Sequence, residues 1–319
     1  MSCDVNVKFK EINSVSEDLL LNMLEINFKT FLDWSFLNIG AWFDAKIEDN
    51  NNFYSSSNVN YKLLLVDDPS YESGCVWQGI RKDWVWESDV AFGENTPIVI
   101  DGVYINDNFL DYTSGDFIID YPLGRIIFNS PISTTSTVTI NYSYRHIQVY
   151  RASDSPWFSI MQYSSLRNND ESISQNDSGD WSIGGQHRIQ LPAIVIESLA
   201  RSRSKPYELG STALILEQDI AFHILAENKN DRNKLLDILR LQQDLVIGIY
   251  NTNTLSQADK YPLDHNGDLK ANPLMYPDMI EQYGWRKCWI KNVNLFEIDS
   301  PNPSFHQGMA RVTLEVVSH

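Results

Sequence analysis

The groups from which this 319-residue chain could build a reactive centre are six histidines, three cysteines and 42 aspartates and glutamates. His146, His187, His223, His265, His306 and His319 never fall at the spacing that sets two imidazoles on one metal ion. His223 lies between Phe222 and Ile224 on an expected strand and reads as a structural or partly exposed histidine. Cys3, Cys75 and Cys288 are odd in number and far apart, which fits neither a disulfide framework nor a Cys-x-x-Cys knuckle. The chain has no Gly-x-Ser-x-Gly elbow, Walker loop, Gly-x-Gly-x-x-Gly turn or His-Glu-x-x-His helix. No catalytic residue, metal site or cofactor is therefore expected. A hydrolase with carboxylates scattered among loops stays open as an alternative, because the separation of two carboxylates is spatial and not sequential.

Asp264-His265-Asn266-Gly267-Asp268 begins like a calcium loop, with oxygen donors at alternate positions. The glutamate such a loop needs at its twelfth position is Met275, and its glycine comes too early, so an Asn-Gly turn is the expectation. Trp77, Trp84 and Trp86 flank Arg81 and Lys82 and could form a sugar-stacking platform, since indole faces suit pyranose CH groups. Packing within or between chains is the competing role, because each ring supplies a large apolar area with one polar handle.

These residues need elements to position them. Ser14-Val15-Ser16-Glu17 matches a capping box, and Leu20, Leu21, Leu24, Phe28, Phe31 and Leu32 follow it at amphipathic-helix spacing. This helix ends near Gly40 and the Asn50-Asn51-Asn52 run. It either packs on its own domain or forms an arm, residues 1–48, that docks on a neighbouring subunit. Residues 49–155 read as a β-rich domain. There Asp116–Asp120 and Arg125–Phe128 flank the turn Tyr121-Pro122-Leu123-Gly124, and Val138, Ile140, Tyr142 and Tyr144 alternate with polar residues as one half-buried strand. The Ser-, Asn- and Gly-rich stretch 164–187 and the basic cluster Arg201-Ser202-Arg203-Ser204-Lys205 read as loops. Beyond residue 212 the pattern turns α/β. A strand through Ile220, Phe222 and Ile224 leads to a helix capped near Asn228 that runs to about Leu245. Strands at 246–250, 289–298 and 310–316 follow, with an insert at 251–286. The expected class is α+β: a helical arm, an antiparallel β-sandwich or meander, and residues 156–319 as a mostly antiparallel sheet with one covering helix.

Charge and hydropathy bound the partners. The net charge is −17, with 21 acidic against 9 basic residues in 1–150 and 21 against 16 in 151–319. So acidic a chain does not suit a nucleic-acid groove or anionic lipid. No apolar run approaches the roughly 18 residues of a membrane span, and the first residues lack the apolar core of a signal peptide. A soluble protein from a reducing compartment is expected, with no membrane partner.

The segment DFIIDYPLGRIIFNSPISTTSTVTINYSY, Asp116 to Tyr144, resembles a β-module that recurs in tailed-bacteriophage virion proteins. The pieces 214–227, 230–245, 246–250, 287–298 and 308–318 are similar in order to the core of phage tail-terminator (tail-completion) proteins. That resemblance covers about a third of the chain and departs from the family in the arm, the β-domain and the insert. It implies a virion protein made in the host bacterial cytoplasm. This subunit would form a ring, usually of six copies, at the neck or top of the tail, ending the tail tube and joining it to the head connector. Its partners would be itself, neighbouring tail-tube or sheath and head-connector proteins, and DNA that passes without specific binding. Three contact regions follow. Phe28, Phe31 and Trp34 would pack on a neighbour. Val312 and Leu314 would lie in or beside an intersubunit sheet. Tyr276 and Trp285 would reach the next ring. Each has an intramolecular alternative as core. The competing reading is a carbohydrate- or receptor-binding tail or baseplate component using Trp77, Trp84 and Trp86.

Overall fold

A computed structural model describes residues 14–48, 59–165, 173–175, 181–183, 187–208, 213–255, 262–298 and 304–318. Cys3, His319, the Asn50–Asn52 run and much of the 164–187 stretch lie outside the described residues. The chain is α+β, with an N-terminal β-unit and a C-terminal sheet joined by helices.

Helix α1 spans Leu20–Asn38. The capping-box serine does not cap it. Ser14 closes a preceding turn, its carbonyl accepting from Glu17 N at 3.3 Å, and the start of the helix is held by Asp18. The Asp18 carboxylate accepts from Thr252 Oγ1 at 2.7 Å, and its backbone N–H donates to Asn253 Oδ1 at 2.8 Å. At the other end Gly40, at φ +77°, donates to the Leu37 carbonyl at 2.9 Å and closes the helix in the left-handed conformation glycine adopts freely.

The N-terminal unit carries strands β1 (Trp42–Ala45), β2 (Lys62–Leu65), β3 (Val76–Gln78), β4 (Gly102–Ile105), β5 (Asn108–Asp111), β6 (Phe117–Asp120), β7 (Arg125–Phe128), β8 (Val138–Thr139) and β9 (Tyr142–Arg145). Seven of them form one antiparallel sheet in the order β5-β4-β8-β2-β3-β7-β6, while β1 and β9 make a separate ribbon. The β6–β7 hairpin turns at Tyr121–Gly124, with Gly124 at φ +63°. The single strand expected over 138–144 is two. Val138 pairs in the large sheet with β2 and β4, whereas Tyr142–Arg145 pairs with β1. Val138, Ile140, Tyr142 and Tyr144 all face the core, as the alternation requires. Ser143 and Arg145 are buried on the other face as well, Ser143 against Asp44 and Ile98 and Arg145 against Asp33 of α1 and the Asp83 turn.

The C-terminal unit begins with β10 (Gln148–Arg151), which lies within the 49–155 segment yet adds in parallel to β14 of the second sheet. Helix α2 (Pro156–Ser165) follows. The short strands β11 (Ile173–Gln175), β12 (Trp181–Ile183) and β13 (His187–Ile189) form an antiparallel sheet inside the expected loop. Then come β14 (Ala193–Pro206), β15 (Leu214–Ala226), α3 (Lys229–Arg240), β16 (Val246–Tyr250), α4 (Tyr276–Tyr283), β17 (Gly284–Ile298) and β18 (His306–Ser318), giving a sheet in the order β10-β14-β15-β18-β17-β16. The basic cluster Arg201–Lys205 is therefore strand, not loop. It pairs with β15 and projects its side chains into solvent. Asn228 caps α3, its Oδ1 accepting from Asp231 N at 2.9 Å, and the helix ends five residues before Leu245.

One face of this sheet holds the main core. Ile194, Ile196, Ile220, Phe222, Ile224, Val312, Leu314 and Val316 pack beneath Leu235 and Leu239 of α3 and Leu24, Phe28, Leu32 and Phe36 of α1. Two helices cover that face, and the N-terminal one is not a free arm. Its apolar stripe is buried in its own chain, against β10, β14 and β16 beside the part of the face that α3 covers. Helix α1 touches β10 and β14 at one edge of the sheet and β16 at the other, so the sheet curls around it. The closure is made by Asn27, fully buried, which acts as a substitute strand residue. Its Oδ1 accepts from Tyr250 N at 2.9 Å, and its Nδ2 donates to Tyr250 O at 3.1 Å and to Met23 O at 2.8 Å. On the opposite face α2 and the β11–β13 sheet cover only one end, through Trp157, Phe158, Met161 and Trp181.

Asn27→Leu keeps the size of the side chain but leaves the buried Tyr250 N–H and C=O without partners. It is expected to lower unfolding free energy by about 2–4 kcal/mol, read by urea denaturation. Removing residues 1–48 strips α1 from the core, and the truncated chain is expected to lose cooperative unfolding in calorimetry, the outcome a detachable arm would not produce.

Candidate functional site

The stripe of α1 opposite Phe28 carries Ile26, Lys29, Thr30, Asp33 and Trp34. It faces the N-terminal unit and α4 across a cavity of about 210 Å³. The far wall is a turn that Asp83 makes at φ +54°. Asp83 N donates to Pro122 O at 3.1 Å, Trp84 N to Tyr121 O at 2.8 Å, and Arg145 N to Asp83 O at 3.0 Å, so β9 and the β6–β7 turn hold the segment in place. Trp86, Glu87, Tyr121, Met275 and Tyr276 complete the lining together with Arg151 and Asp154 at the other end.

Charge in this cavity is unevenly matched. Arg145 Nη2 lies 2.6 Å from both Glu87 oxygens, and both side chains are about 5 % or less exposed. The Asp83 carboxylate sits 3.5 Å from Arg145 Nε, and Arg145 Nη1 reaches only the Asp33 backbone oxygen, at 3.4 Å. Two carboxylates thus contact one guanidinium, and Asp33 adds a third acidic group to the same cavity. Burial pushes the Asp33 carboxyl up to about 7, opposed by the positive charges of Arg145 and Lys29 and reinforced by Asp83 and Glu87. The Asp83 carboxyl is raised for the same leading reason. Arg145 is held in its charged form by Glu87, Asp33 and Asp83 against the cost of its burial. A carboxyl that titrates near neutrality beside aromatic walls can change the charge of the cavity within the physiological range.

The expected site residues are distributed around this frame. Phe28 lies in the main core, its ring 5.6 Å from that of Phe222. Phe31, Trp34 and Tyr276 come together in one chain. Tyr276 stacks 5.3 Å from Phe31 and 6.0 Å from Trp34, and its hydroxyl donates to Gly248 O at 2.8 Å. Val312 and Leu314 point into the core. Trp285 is half-exposed with the Arg286 guanidinium 3.6 Å above its ring. Trp77 and Trp84 are buried and give no stacking platform. Their ring N–H groups donate inward to Gly74 O at 3.0 Å and Arg81 O at 2.8 Å, and Trp84 packs 4.4 Å from Tyr142. Only Trp86 of the three keeps a partly open ring, and that ring lines the cavity. The Asp264 turn is an Asx turn, the carboxylate accepting from Asn266 N at 2.8 Å and Asp268 N at 3.0 Å. Among the described residues no group of three or more His, Cys, Asp or Glu is placed to hold a metal ion, and no helix is long and apolar enough to cross a membrane.

A second feature is the outer face of the long strands beyond the α2 cover. Lys291 Nζ lies 2.6 Å from Glu217 and 2.8 Å from Glu315, Lys205 reaches the same two carboxylates, and Asp219 accepts from Arg311 and from Thr313 Oγ1 at 2.9 Å. Trp289 and Phe296 stand exposed on this face. Reasoning from sequence missed both the cavity and this lattice. Arg145 was the available signal, a long cation continuing an alternating apolar strand.

Because the folded chain favours the proton on Asp33, that contribution to stability is full below about pH 4 and is lost as pH rises to about 7. Asp33→Asn removes this pH-dependent loss. The variant is therefore expected to gain stability relative to wild type between those limits and to hold a constant difference above them, measured by denaturant unfolding across the range.

Compared with known proteins, the chain matches no protein-family model and no curated sequence.

Proposed function

We propose that this chain is a structural virion subunit of a tailed bacteriophage, closing into a ring at the neck or top of the tail that ends the tail tube and joins it to the head connector. The observation that carries the reading is the half-covered sheet. Residues 199–206 of β14 and the outer residues of β15, β17 and β18 extend past any covering helix, and they present fixed charges and exposed rings. Leu241, Val246 and Trp289 add exposed apolar area at the same end of the sheet, with Val246 paired directly to Trp289. Exposed apolar groups beside an ordered charge lattice fit a surface that is covered on assembly.

The order β15, α3, β16, β17, β18 supports the terminator-like reading, since it follows the succession of elements in that core. Closed rings need a heterologous contact, in which two different patches of the subunit meet. Arg203 on the projecting strand, beside the ion-paired Arg201 and Lys205, and the acidic residues that give 1–150 a net −12 are the charged groups such a contact would draw on. The acidic balance of the whole chain keeps passing DNA from adhering. The ring would place the tail-tube or sheath proteins on one side and the head-connector proteins on the other. The carbohydrate-binding alternative retains Trp86 alone of its three rings.

Light scattering at micromolar concentration is expected to give a closed oligomer of about six chains, visible as rings in negative stain. The exposed pair Val246→Asp with Trp289→Asp should reduce it to monomer without lowering the melting temperature by more than a few degrees. A wild-type chain that stays monomeric at every concentration, and on isolated tail tubes, would remove the ring reading.

A further inference from the structure

The cavity beside α1 is not used by the ring reading and does not depend on it. We propose that this cavity binds a small organic cation, an ammonium or guanidinium group on a short apolar stem, with the Asp33 and Asp83 carboxylates as its counter-ions.

Three observations converge. First, charge at the head of the cavity does not balance. Asp33, Asp83 and Glu87 stand against Arg145 and Lys29, and Arg145 is already engaged by both oxygens of Glu87. Among the described residues no ion pair or hydrogen bond reaches the Asp33 carboxylate, although it lines the open volume. One further positive charge would complete the set. Second, the remaining wall is aromatic and apolar. Trp34, Trp86 and Tyr276 offer rings, and Ile26, Leu274 and Met275 offer aliphatic surface. Rings around a carboxylate suit an organic cation better than a metal ion, because cation–π attraction grows where the cation is desolvated. Third, the size fits. A cavity of about 150 Å³ holds benzene, and this one, about 210 Å³, accommodates a stem of roughly four to six carbons with its head group.

The other charged and titratable groups facing Asp33 do not fill the role. Lys29 shares its helix and makes no ion pair within 4 Å among the described residues. Arg151, at the far end, is engaged by Glu25 and Asp154 at 3.5 and 3.1 Å. The Tyr121 and Tyr276 hydroxyls are held neutral by burial. Anions are excluded by the carboxylates, and neutral ligands leave their charge unmatched.

The test is calorimetric titration of the whole chain with butylamine, with butanol as the neutral isostere. Butylamine is expected to bind at least about tenfold more tightly than butanol at pH 8, a difference of about 1.4 kcal/mol. It should weaken by about tenfold at pH 5.5, where Asp33 carries its proton. Asp33→Asn should abolish the preference for amine over alcohol while folding normally. Should that variant fail to fold, the pH profile of the wild type decides the matter alone. Equal binding of butylamine and butanol, a wild-type profile flat in pH, or an Asp33→Asn chain with unchanged amine affinity would each overturn the proposal. Nα-acetyl-lysine N-methylamide distinguishes the source of the cation. Binding equal to butylamine supports a lysine side chain inserted by a partner, and binding of butylamine alone supports a free amine.

Discussion

Asn27 ties the open edge of the sheet at β16 to helix α1, which packs on β10 and β14 at the other edge. Strand β16 ends the six-stranded sheet, and Tyr250, paired with β17 on one side, has no strand on its outer side. A buried amide that donates and accepts in the geometry of a strand satisfies both of those groups, and it does so from inside a helix. Once that bond is made, α1 cannot leave the sheet without exposing a buried N–H, a buried C=O and the Leu24–Phe36 stripe together. Everything placed on α1 inherits this rigidity.

The cavity follows from that placement. A helix enclosed by a curled sheet has one stripe for the core and a second stripe for whatever packs behind it. Behind α1 are the Asp83 turn, β9 and α4, and Asp33 falls on the second stripe, facing Arg145 across the interior. The raised carboxyl of Asp33 is thus a consequence of the same packing that holds the fold together. Loop 262–270 seals the arrangement from the N-terminal side. Tyr121 N donates to Gly267 O at 3.1 Å, and the Tyr112 hydroxyl donates to Asp268 at 3.0 Å. The segment between β16 and β17 is therefore an internal brace as well as an insert.

The sheet faces divide the work differently. The inner face is apolar over Ile220–Ile224 of β15 and Ala310–Val316 of β18, with the buried Gln218 as a polar interruption. The outer face is covered by α2 and Trp181 at one end and elsewhere carries an ion-pair lattice beside the exposed Trp289 and Phe296. A lattice on an exposed sheet contributes little to stability pair by pair. In the ring proposed above it would present ordered, alternating charge to the neighbouring subunit.

Local pattern determined much of this protein. The alternation in Ala310–Val316 set which face of β18 turns inward, Asn228 set the start of α3, and Tyr121–Gly124 set a hairpin turn, because each depends on residues within a few positions of one another. The α+β class followed from the same signals. The departures are all long-range. The stretch Val138–Tyr144 has one period, yet its partners change midway, and strand pairing is decided by distant segments. Arg201–Lys205 is hydrophilic and reads as loop, but β15 supplies the hydrogen bonds that make it strand. Trp77 and Trp84 could be weighed as platform or packing only from type, and burial depends on what lies opposite. The carboxylates of Asp33, Asp83 and Glu87 are separated by 50 residues and more from α1 to the turn, so neither their meeting nor the shift it produces is written in spacing. Sequence determined the facing of those elements whose pattern is local. Only the tertiary structure decided which elements close on one another, because closure is a property of surfaces that no short window contains.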